Sequence, residues 1–303
     1  MSHLLRALPI VVALLAGCTA TPTHSAKPMA AHDDASAATA PSPAPGPLAD
    51  DNLNATAWTQ TALEHDLLDL QVYRDAQAHL LAALKDPHWD ALPKDDRVTP
   101  LKGLKPAVIL DIDETVLDNS PYQARLVRNG GEFNEADWAA WCKEEKARAL
   151  PGAVAFAQFA ASHGIAVIYL SNRAKDLDQA TLSNLRKVGM PVSGPEAFLG
   201  LGKVLDGCEQ AGSEKNCRRQ LVGQHYRVLM QLGDQIGDFV SIYAADPTAR
   251  DKAFAAYLPW VGTRWFVLPN PTYGAWESAL FNNDYSQPRE QRRALKIKAL
   301  RTD

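Results

Sequence analysis

Short apolar runs in this chain each end in polar or acidic residues. Such runs are typical of strands buried on both faces of a parallel sheet. The runs are Ala107 to Leu110, Ile165 to Leu170, Tyr226 to Leu232 and Trp265 to Leu268. Stretches with helical patterning, such as Gly152 to Ser162, lie between them. The alternation predicts an α/β fold with a doubly wound parallel sheet. Ligands of such sheets bind at the carboxyl ends of the strands, where the polar residues stand.

The remaining segments flank or interrupt this pattern. Apolar residues from Asn52 to Lys85 recur at three- and four-residue steps, which predicts N-terminal helices packed on the sheet. The stretch after the first strand is too long for a plain crossover and predicts a helical cap insertion. The predicted divisions are residues 1–18 (signal), 19–50 (tether rich in Ala, Pro and Ser), 51–100 (helical segment), 101–285 (core, with the cap at 119–150) and 286–303 (basic helix or tail).

The first residues resemble an export signal. Arg6 precedes a short apolar run, and Leu15-Ala16-Gly17-Cys18 follows as a lipobox. The run is too short to span a bilayer, so we expect cleavage before Cys18 and lipidation of that residue. An ordinary signal peptide with a chance cysteine is the alternative. The prediction places the protein in the cell envelope, with the membrane as a partner through the anchor. Thr19 after the cysteine favours an outer-membrane location in a Gram-negative host.

Three cysteines remain after lipidation. Cys208 and Cys217 bracket a short polar loop, and an oxidising envelope favours pairing, so we predict a disulfide between them. Cys142 is then expected to be a buried, inert thiol.

The acidic string Asp111-Ile112-Asp113-Glu114-Thr115 directly follows a predicted buried strand. Two carboxylates one residue apart repel each other, and burial makes the repulsion more costly. A hard divalent cation such as Mg²⁺ resolves that conflict. Asp234 ends another strand, with Asp238 one helical turn later. We therefore expect the acidic groups to converge on one cation at one edge of the sheet.

The string V-I-L-D-I-D-E-T-V-L-D-N-S-P-Y, from Val108 to Tyr122, resembles the first motif of the haloacid-dehalogenase (HAD) phosphatases. It is more narrowly similar to bacterial class C acid phosphatases, the lipoprotein 5′-nucleotidase group that includes lipoprotein e. The string L-G-D-Q-I-G-D-F, from Leu232 to Phe239, resembles the other acidic motif of that group. Gln235 departs from it, because Asn or Thr is more usual there. The resemblance implies a HAD-like Rossmannoid core.

The resemblance also implies residue roles. Asp111 would attack phosphorus and form an aspartyl-phosphate, and Asp113 would act as general acid and base. One Mg²⁺ would be held by the Asp111 carboxylate, the Asp113 backbone carbonyl and Asp234. Ser171 matches the phosphate-binding hydroxyl and Lys215 the lysine that pairs with nucleophile and phosphate. Lys203 is a rival for the lysine role. The residues expected to support this site are Thr115, Asn172, Arg173 and Asp238.

The segment from Leu268 to Glu277 is similar to one that lines the substrate entrance in the nucleotidase lipoproteins. Rings at such an entrance stack on a base, which implies nucleoside monophosphates as substrates. The candidate rings are Tyr122, Trp138, Trp141 and Tyr273. Each tryptophan could instead be a core or cap residue.

The charge balance bears on partners. The chain has 31 Lys and Arg against 35 Asp and Glu, a net charge of −4 without a basic block. Nucleic acid is therefore a disfavoured partner. The leading hypothesis is a phosphomonoesterase of acid optimum that acts on small-molecule nucleotides. The alternatives are a phosphatase of sugar or aryl phosphates and a binding lipoprotein of the same fold that has lost turnover. The oligomeric state stays open.

Overall fold

The computed structural model describes residues 50–242 and 246–303. The predicted signal, with Cys18, and the predicted tether apart from Asp50 lie outside the described residues. The strands, in chain order, are β1 (Lys105–Leu110), β2 (Leu117–Asp118), β3 (Arg148–Ala149), β4 (Ala166–Ala174), β5 (Phe198–Leu201), β6 (Tyr226–Gly233) and β7 (Trp265–Val267). The helices are α1 (Leu53–Thr61), α2 (Leu63–Lys85), α3 (Ser120–Asn129), α4 (Glu135–Glu144), α5 (Ala153–Ser162), α6 (Asp178–Lys187), α7 (Asn216–His225), α8 (Ile236–Phe239), α9 (Pro247–Phe254), α10 (Ala275–Ser278) and α11 (Arg289–Lys298).

A five-stranded sheet of order β5-β4-β1-β6-β7 forms the centre, and every adjacent pair is parallel. From β1 the chain first winds outward through β4 and β5, and then returns to the other side for β6 and β7. The winding direction therefore reverses between β1 and β6. A crevice forms outside the carboxyl ends of the strands at such a switch point, because the loops on its two sides diverge. The predicted fold class is confirmed.

Both faces of the sheet are covered, which explains the unbroken apolar runs. Successive side chains of β1 point to opposite faces. Val108 and Leu110 join the core that contains α2 and α5, whereas Ala107 and Ile109 join the core that contains Trp265. A strand between two such layers has no polar face, so its sequence shows no alternation.

Two of the differences between the observed strands and the predicted runs concern the region of the polar residues. β5 was not predicted, because its four residues contain a glycine and form too short an apolar run to stand out. β4 continues through Ser171, Asn172 and Arg173 to Ala174, beyond the predicted end at Leu170. The functional polar residues therefore lie within β4, in an irregular stretch between the pairs Leu170–Leu199 and Ala174–Leu201, and not in a loop after the strand.

The insertion after β1 consists of α3 and α4. Its ends are joined by the antiparallel pair β2–β3, in which Leu117 lies opposite Ala149 and Asp118 opposite Arg148. Asn134 caps α4, since its side chain accepts a hydrogen bond from the Asp137 amide at 2.9 Å. The insertion thus leaves and rejoins the sheet at nearly the same place, above the carboxyl end of β1.

Ion pairs hold helix α11 against the rest of the fold. Arg289 donates to Asp50 at 3.0 Å, Arg293 donates to Asp51 at 2.8 Å, and Arg292 forms an ion pair with Glu132 of the insertion. The predicted basic segment thus forms a helix that joins the start of the described chain to the insertion. Within residues 50–242 and 246–303, no helix has both the length and the apolar character that a membrane span requires.

Candidate active site

A group of three carboxylates lies at the switch point. Asp111 follows β1, Asp234 follows β6, and Asp238 lies in α8, which begins two residues after Asp234. One oxygen from each carboxylate lies within 4.8 Å of the others. β1 and β6 are neighbours in register, and the Asp111 amide donates to the Leu232 carbonyl at 2.9 Å. The sheet therefore brings together groups that are more than a hundred residues apart in the chain.

The environment of these carboxylates opposes their negative charge. Burial raises the pKa of Asp111 well above its usual range, and the charges of Asp238, Asp234 and Asp113 raise it further against the effect of Lys215. Burial, followed by the charge of Asp238, raises the pKa of Asp234 to about 7. A cation between the three oxygens would remove this cost, and an all-oxygen donor set suits Mg²⁺. The residues present therefore fit a hard divalent cation.

Lys215 supplies the positive charge that the structure places in this group. It precedes α7, its side chain is only 5% exposed, and its ammonium forms a short ion pair with Asp111. The ammonium also donates to Asp238 at 2.7 Å and to the Leu170 carbonyl at 2.8 Å. Lys203 is exposed on a turn. Of the two rival lysines, the structure brings Lys215 to the predicted nucleophile.

The Asp113 carboxylate lies outside the three-carboxylate group and is held by several donors. Arg173 Nε and Asn119 Nδ2 donate to its Oδ1 at 2.9 and 2.8 Å, and Ser171 Oγ donates to Oδ2 at 3.1 Å. The third carboxylate beside Asp111 and Asp234 is therefore Asp238, which the sequence predicted only as a supporting residue. This arrangement leaves the Asp113 backbone carbonyl as its predicted link to the metal. Asn119 was not predicted, although it lies within the quoted motif.

Further donors orient Asp234. Gln235 Nε2 and Asn270 Nδ2 donate to Asp234 Oδ2 at 2.7 and 2.8 Å, and Thr115 Oγ1 donates to Oδ1 at 3.4 Å. The backbone amide of Gln235 also donates to Asp238 Oδ2 at 2.8 Å, which helps to cap α8. Gln235, at the position where the motif more often has Asn or Thr, therefore contacts both Asp234 and Asp238. The sequence analysis did not predict Asn270 as a site residue, although its position shortly after β7 placed it at the carboxyl edge of the sheet.

The aromatic candidates divide into two pairs. Tyr122 and Trp141 are 2% and 3% exposed, so neither offers a free ring face. Trp141 Nε1 donates to Asn119 Oδ1 at 2.8 Å, and Tyr122 packs edge-on against Trp138 with ring centroids 5.1 Å apart. The prediction that these two rings stack on a substrate is therefore wrong, because packing of the insertion onto the core buries them. The half-buried Trp138 lies 5.5 Å from the Arg173 guanidinium.

Tyr273 is half-buried and its hydroxyl donates a short hydrogen bond to Glu114. Glu114 has a left-handed backbone with φ of 58°, and its other carboxylate oxygen accepts a hydrogen bond from the backbone amide of Asn119 at 2.7 Å. The turn after Asp113 is thereby joined to the segment after β7. Sequence reasoning missed this role of Glu114, although the residue belongs to the acidic string.

The remaining predicted residues also have defined positions. The exposed side chain of Asn172 accepts a hydrogen bond from Arg218 at 2.7 Å. Cys208 and Cys217 form the predicted disulfide, with Cα atoms 5.7 Å apart. Cys142 is a buried free thiol, and burial raises its pKa to about 12. A thiol with that pKa is not a nucleophile at neutral pH.

Solved structures resemble this chain over most of its length. Two structures of the class C acid phosphatase from Bacillus anthracis, one with tungstate bound, are 32% identical to it. Each alignment covers 83% of this chain and 97% of the solved chain, with TM-scores of 0.71 and 0.70. The fold is therefore shared with that phosphatase.

Curated relatives match more distantly. The stem 31 kDa glycoprotein of Glycine max is 28% identical over 165 residues, and vegetative storage protein 1 of Arabidopsis thaliana is 29% identical over 168 residues. These matches cover 54% of this chain and 58% and 54% of the two relatives, so the chain spans about half the length of the curated relatives it matches. Residues 52–276 match the model of the HAD superfamily, subfamily IIIB (acid phosphatase). The chain belongs to that family.

Proposed function

We propose that this protein hydrolyses phosphomonoesters through an aspartyl-phosphate on Asp111, with Asp113 as general acid and base. The observation that supports this proposal is the group of buried carboxylates at the switch point, with the Lys215 ammonium against Asp111. A simple chelating site has no use for an ammonium in contact with a ligand. A site that receives a dianionic phosphate next to a carboxylate nucleophile does, because the ammonium lowers their repulsion.

The Asp111 and Asp234 carboxylates and the Asp113 carbonyl would hold one Mg²⁺, with the Asp238 carboxylate beside them. The bound cation would neutralise charge that develops on the phosphoryl oxygens. Gln235 and Asn270 fix the orientation of Asp234 through its Oδ2. Such outer contacts determine how well a carboxylate ligand is aimed.

The first step uses Asp111 as a nucleophile. A carboxylate oxygen of Asp111 forms a bond to phosphorus while the bond from phosphorus to the leaving oxygen breaks. Lys215 holds Asp111 in place through its contact with Asp238 and the Leu170 carbonyl. The Ser171 hydroxyl, two residues before Arg173 in β4, binds a phosphoryl oxygen in exchange for its bond to Asp113.

Asp113 transfers a proton in both steps. In the first step it delivers its proton to the leaving oxygen, and in the second it accepts a proton from the water that attacks the aspartyl-phosphate. That attack breaks the bond from phosphorus to Asp111 and releases inorganic phosphate. Arg173 and Asn119 aim the Asp113 carboxylate through its Oδ1.

For the substrate we propose nucleoside monophosphates, with Trp138 and Tyr273 as the remaining ring candidates. Both are half-buried, and Tyr273 belongs to the segment after β7 that contacts Glu114 of the acidic string. A panel of a nucleotide, a sugar phosphate and an aryl phosphate tests this preference. Equal kcat/KM for all three would refute it and favour a broad phosphatase.

For the cellular location we propose an envelope protein anchored through a lipid on Cys18. Mass spectrometry of the N-terminal peptide tests this directly. A mature chain that begins elsewhere with an unmodified cysteine would refute it.

The chemistry is tested with two lysine variants of the purified protein. Lys215→Met is expected to reduce hydrolysis strongly, because it removes the ammonium from Asp111, whereas Lys203→Met should retain wild-type rates because Lys203 is exposed on a turn. Asp111→Asn should abolish turnover, and EDTA should inhibit reversibly with recovery on addition of Mg²⁺. Full activity of Asp111→Asn would mean that another residue is the nucleophile. A folded wild-type protein without turnover would favour a binding or storage function.

A further inference from the structure

A buried arginine outside the predicted site contacts the end of β4. Arg218, in the first turn of α7, is 1% exposed. Its Nη1 donates to the Ser171 carbonyl at 2.6 Å, and its Nη2 donates to the Asn172 side chain at 2.7 Å. The same guanidinium thus holds both the backbone of the phosphate-binding serine and the residue after it.

Arg218 also donates to the Leu199 carbonyl of β5 at 3.5 Å, and its two further hydrogen bonds hold the loop that carries Lys215. Nη2 also donates to the carbonyls of Ser213 and Glu214, at 3.2 and 3.1 Å. Glu214 directly precedes Lys215. One rigid, planar group therefore spans the end of β4 and the loop before α7, which are about forty residues apart in the chain.

The charge of Arg218 has no carboxylate partner in an ion pair within the described part of the chain. Burial, followed by the nearby charge of Arg219, lowers its pKa to about 10 against the opposing effect of Asp111 and Asp238. A buried charge bound mainly to carbonyls is costly to keep, since its desolvation is not repaid by a close ion pair. The hydrogen bonds that offset part of this cost fall on β4, on β5 and on the loop before α7.

We infer that Arg218 is a positioning residue that sets the spacing between Ser171 and Lys215 and so shapes the phosphoryl pocket. This inference rests on the proposed roles of those two residues. Ser171 lies on the strand side of the pocket and Lys215 on the loop side, and the Arg218 guanidinium contacts both segments. The disulfide at Cys217, the residue before Arg218, closes the same loop onto Cys208 and limits its movement from the other end.

The test compares Arg218→Lys with Arg227→Lys. Arg227 is also buried, and its partners are backbone carbonyls, those of Ala83, Leu84, Asp86 and Trp89, at 3.1, 2.9, 2.6 and 3.5 Å. It lies near the start of β6, at the opposite end of that strand from Asp234. Lysine keeps the charge but loses the planar fork in both variants, so the two substitutions remove similar bonds and differ in location.

We expect both variants to melt at lower temperature than the wild type. At temperatures where each is folded, Arg218→Lys should lower kcat by about 10- to 100-fold, because small displacements of groups that orient the reacting phosphoryl have effects of that size. Inhibition by tungstate, a tetrahedral oxyanion probe, should weaken in the same variant. Arg227→Lys should keep kcat and tungstate inhibition near wild-type values. Equal kcat and tungstate inhibition in the two folded variants would overturn the inference.

Asn172→Ala provides a second test that leaves the core intact, since Asn172 is exposed. It should lower kcat, and in the double variant with Arg218→Lys the two reductions should be less than multiplicative, because both break the same link. Unchanged kcat in Asn172→Ala, or fully multiplicative losses, would refute the inference. Failure of the proposed residue roles is detected separately, as wild-type turnover in Lys215→Met.

Discussion

A buried aspartate on α2 makes the pH dependence of stability a quantitative test of the structure. Asp69 is 0% exposed, and neither of its carboxylate oxygens accepts a hydrogen bond within the described residues. Burial raises its pKa from 3.8 to about 8, and the charges of Asp66 and Asp118 contribute. The perturbation is Asp69→Asn, which keeps the shape of the side chain and removes its ionisation.

The sign follows from proton binding. Because the folded state holds the Asp69 proton more tightly than the unfolded chain, the free energy of unfolding falls as pH rises from about 4 to about 8 and is level above that range. The loss is about 1.4 kcal/mol per pH unit, so it amounts to about 2–3 kcal/mol between pH 5 and pH 7. Asp69→Asn should lack this loss. Its free energy of unfolding relative to that of the wild type should therefore rise by that amount between pH 5 and pH 7.

The assay is urea unfolding of both proteins at pH 5, 6 and 7 at constant ionic strength. The readout is the slope against pH of the difference in unfolding free energy between Asp69→Asn and the wild type. The cost of burying an amide in place of a carboxyl is the same at each pH, so it shifts this difference without changing its slope. Asp75→Asn, which removes an exposed carboxylate from the same helix, is the matched control. If the difference between the two proteins does not change with pH, the Asp69 carboxyl is ionised in the folded protein throughout this interval despite its burial, and the reasoning is refuted.

Other predictions concern the site and its supports. Asn270→Ala should raise the Mg²⁺ concentration for half-maximal activity by about 10-fold or more, because Asp234 loses a donor; an unchanged Mg²⁺ titration would contradict this. Tyr73→Phe should cost about 1–3 kcal/mol in urea unfolding, because it strips the 2.6 Å hydrogen bond from the buried Thr115 carbonyl, and a change below about 0.5 kcal/mol would count against that bond. Reduction of the Cys208–Cys217 disulfide should cost about 2–3 kcal/mol in the chain-entropy picture, measured as a shift in the urea midpoint with and without reductant.

Local sequence was sufficient for much of the fold and for the site's principal acids. Unbroken apolar runs that end in polar residues predicted the parallel sheet, and the string around Asp111 identified the expected nucleophile and the family. Such patterns carry information because the burial of a strand and the chemistry of its end are encoded in neighbouring residues. Cys208 and Cys217 could be paired for the same reason, since they bracket a single loop.

Only the tertiary structure decided which groups meet across the chain. It placed Asp238 beside Asp111 and Asp234, brought Lys215 rather than Lys203 to Asp111, and turned the Asp113 carboxylate toward Arg173. It also buried Tyr122 and Trp141, which the sequence offered as substrate contacts, and revealed Arg218 between the end of β4 and the Lys215 loop. Contacts of this kind depend on strand order, register and helix packing, which bring distant residues together without leaving a periodic signal near any of them.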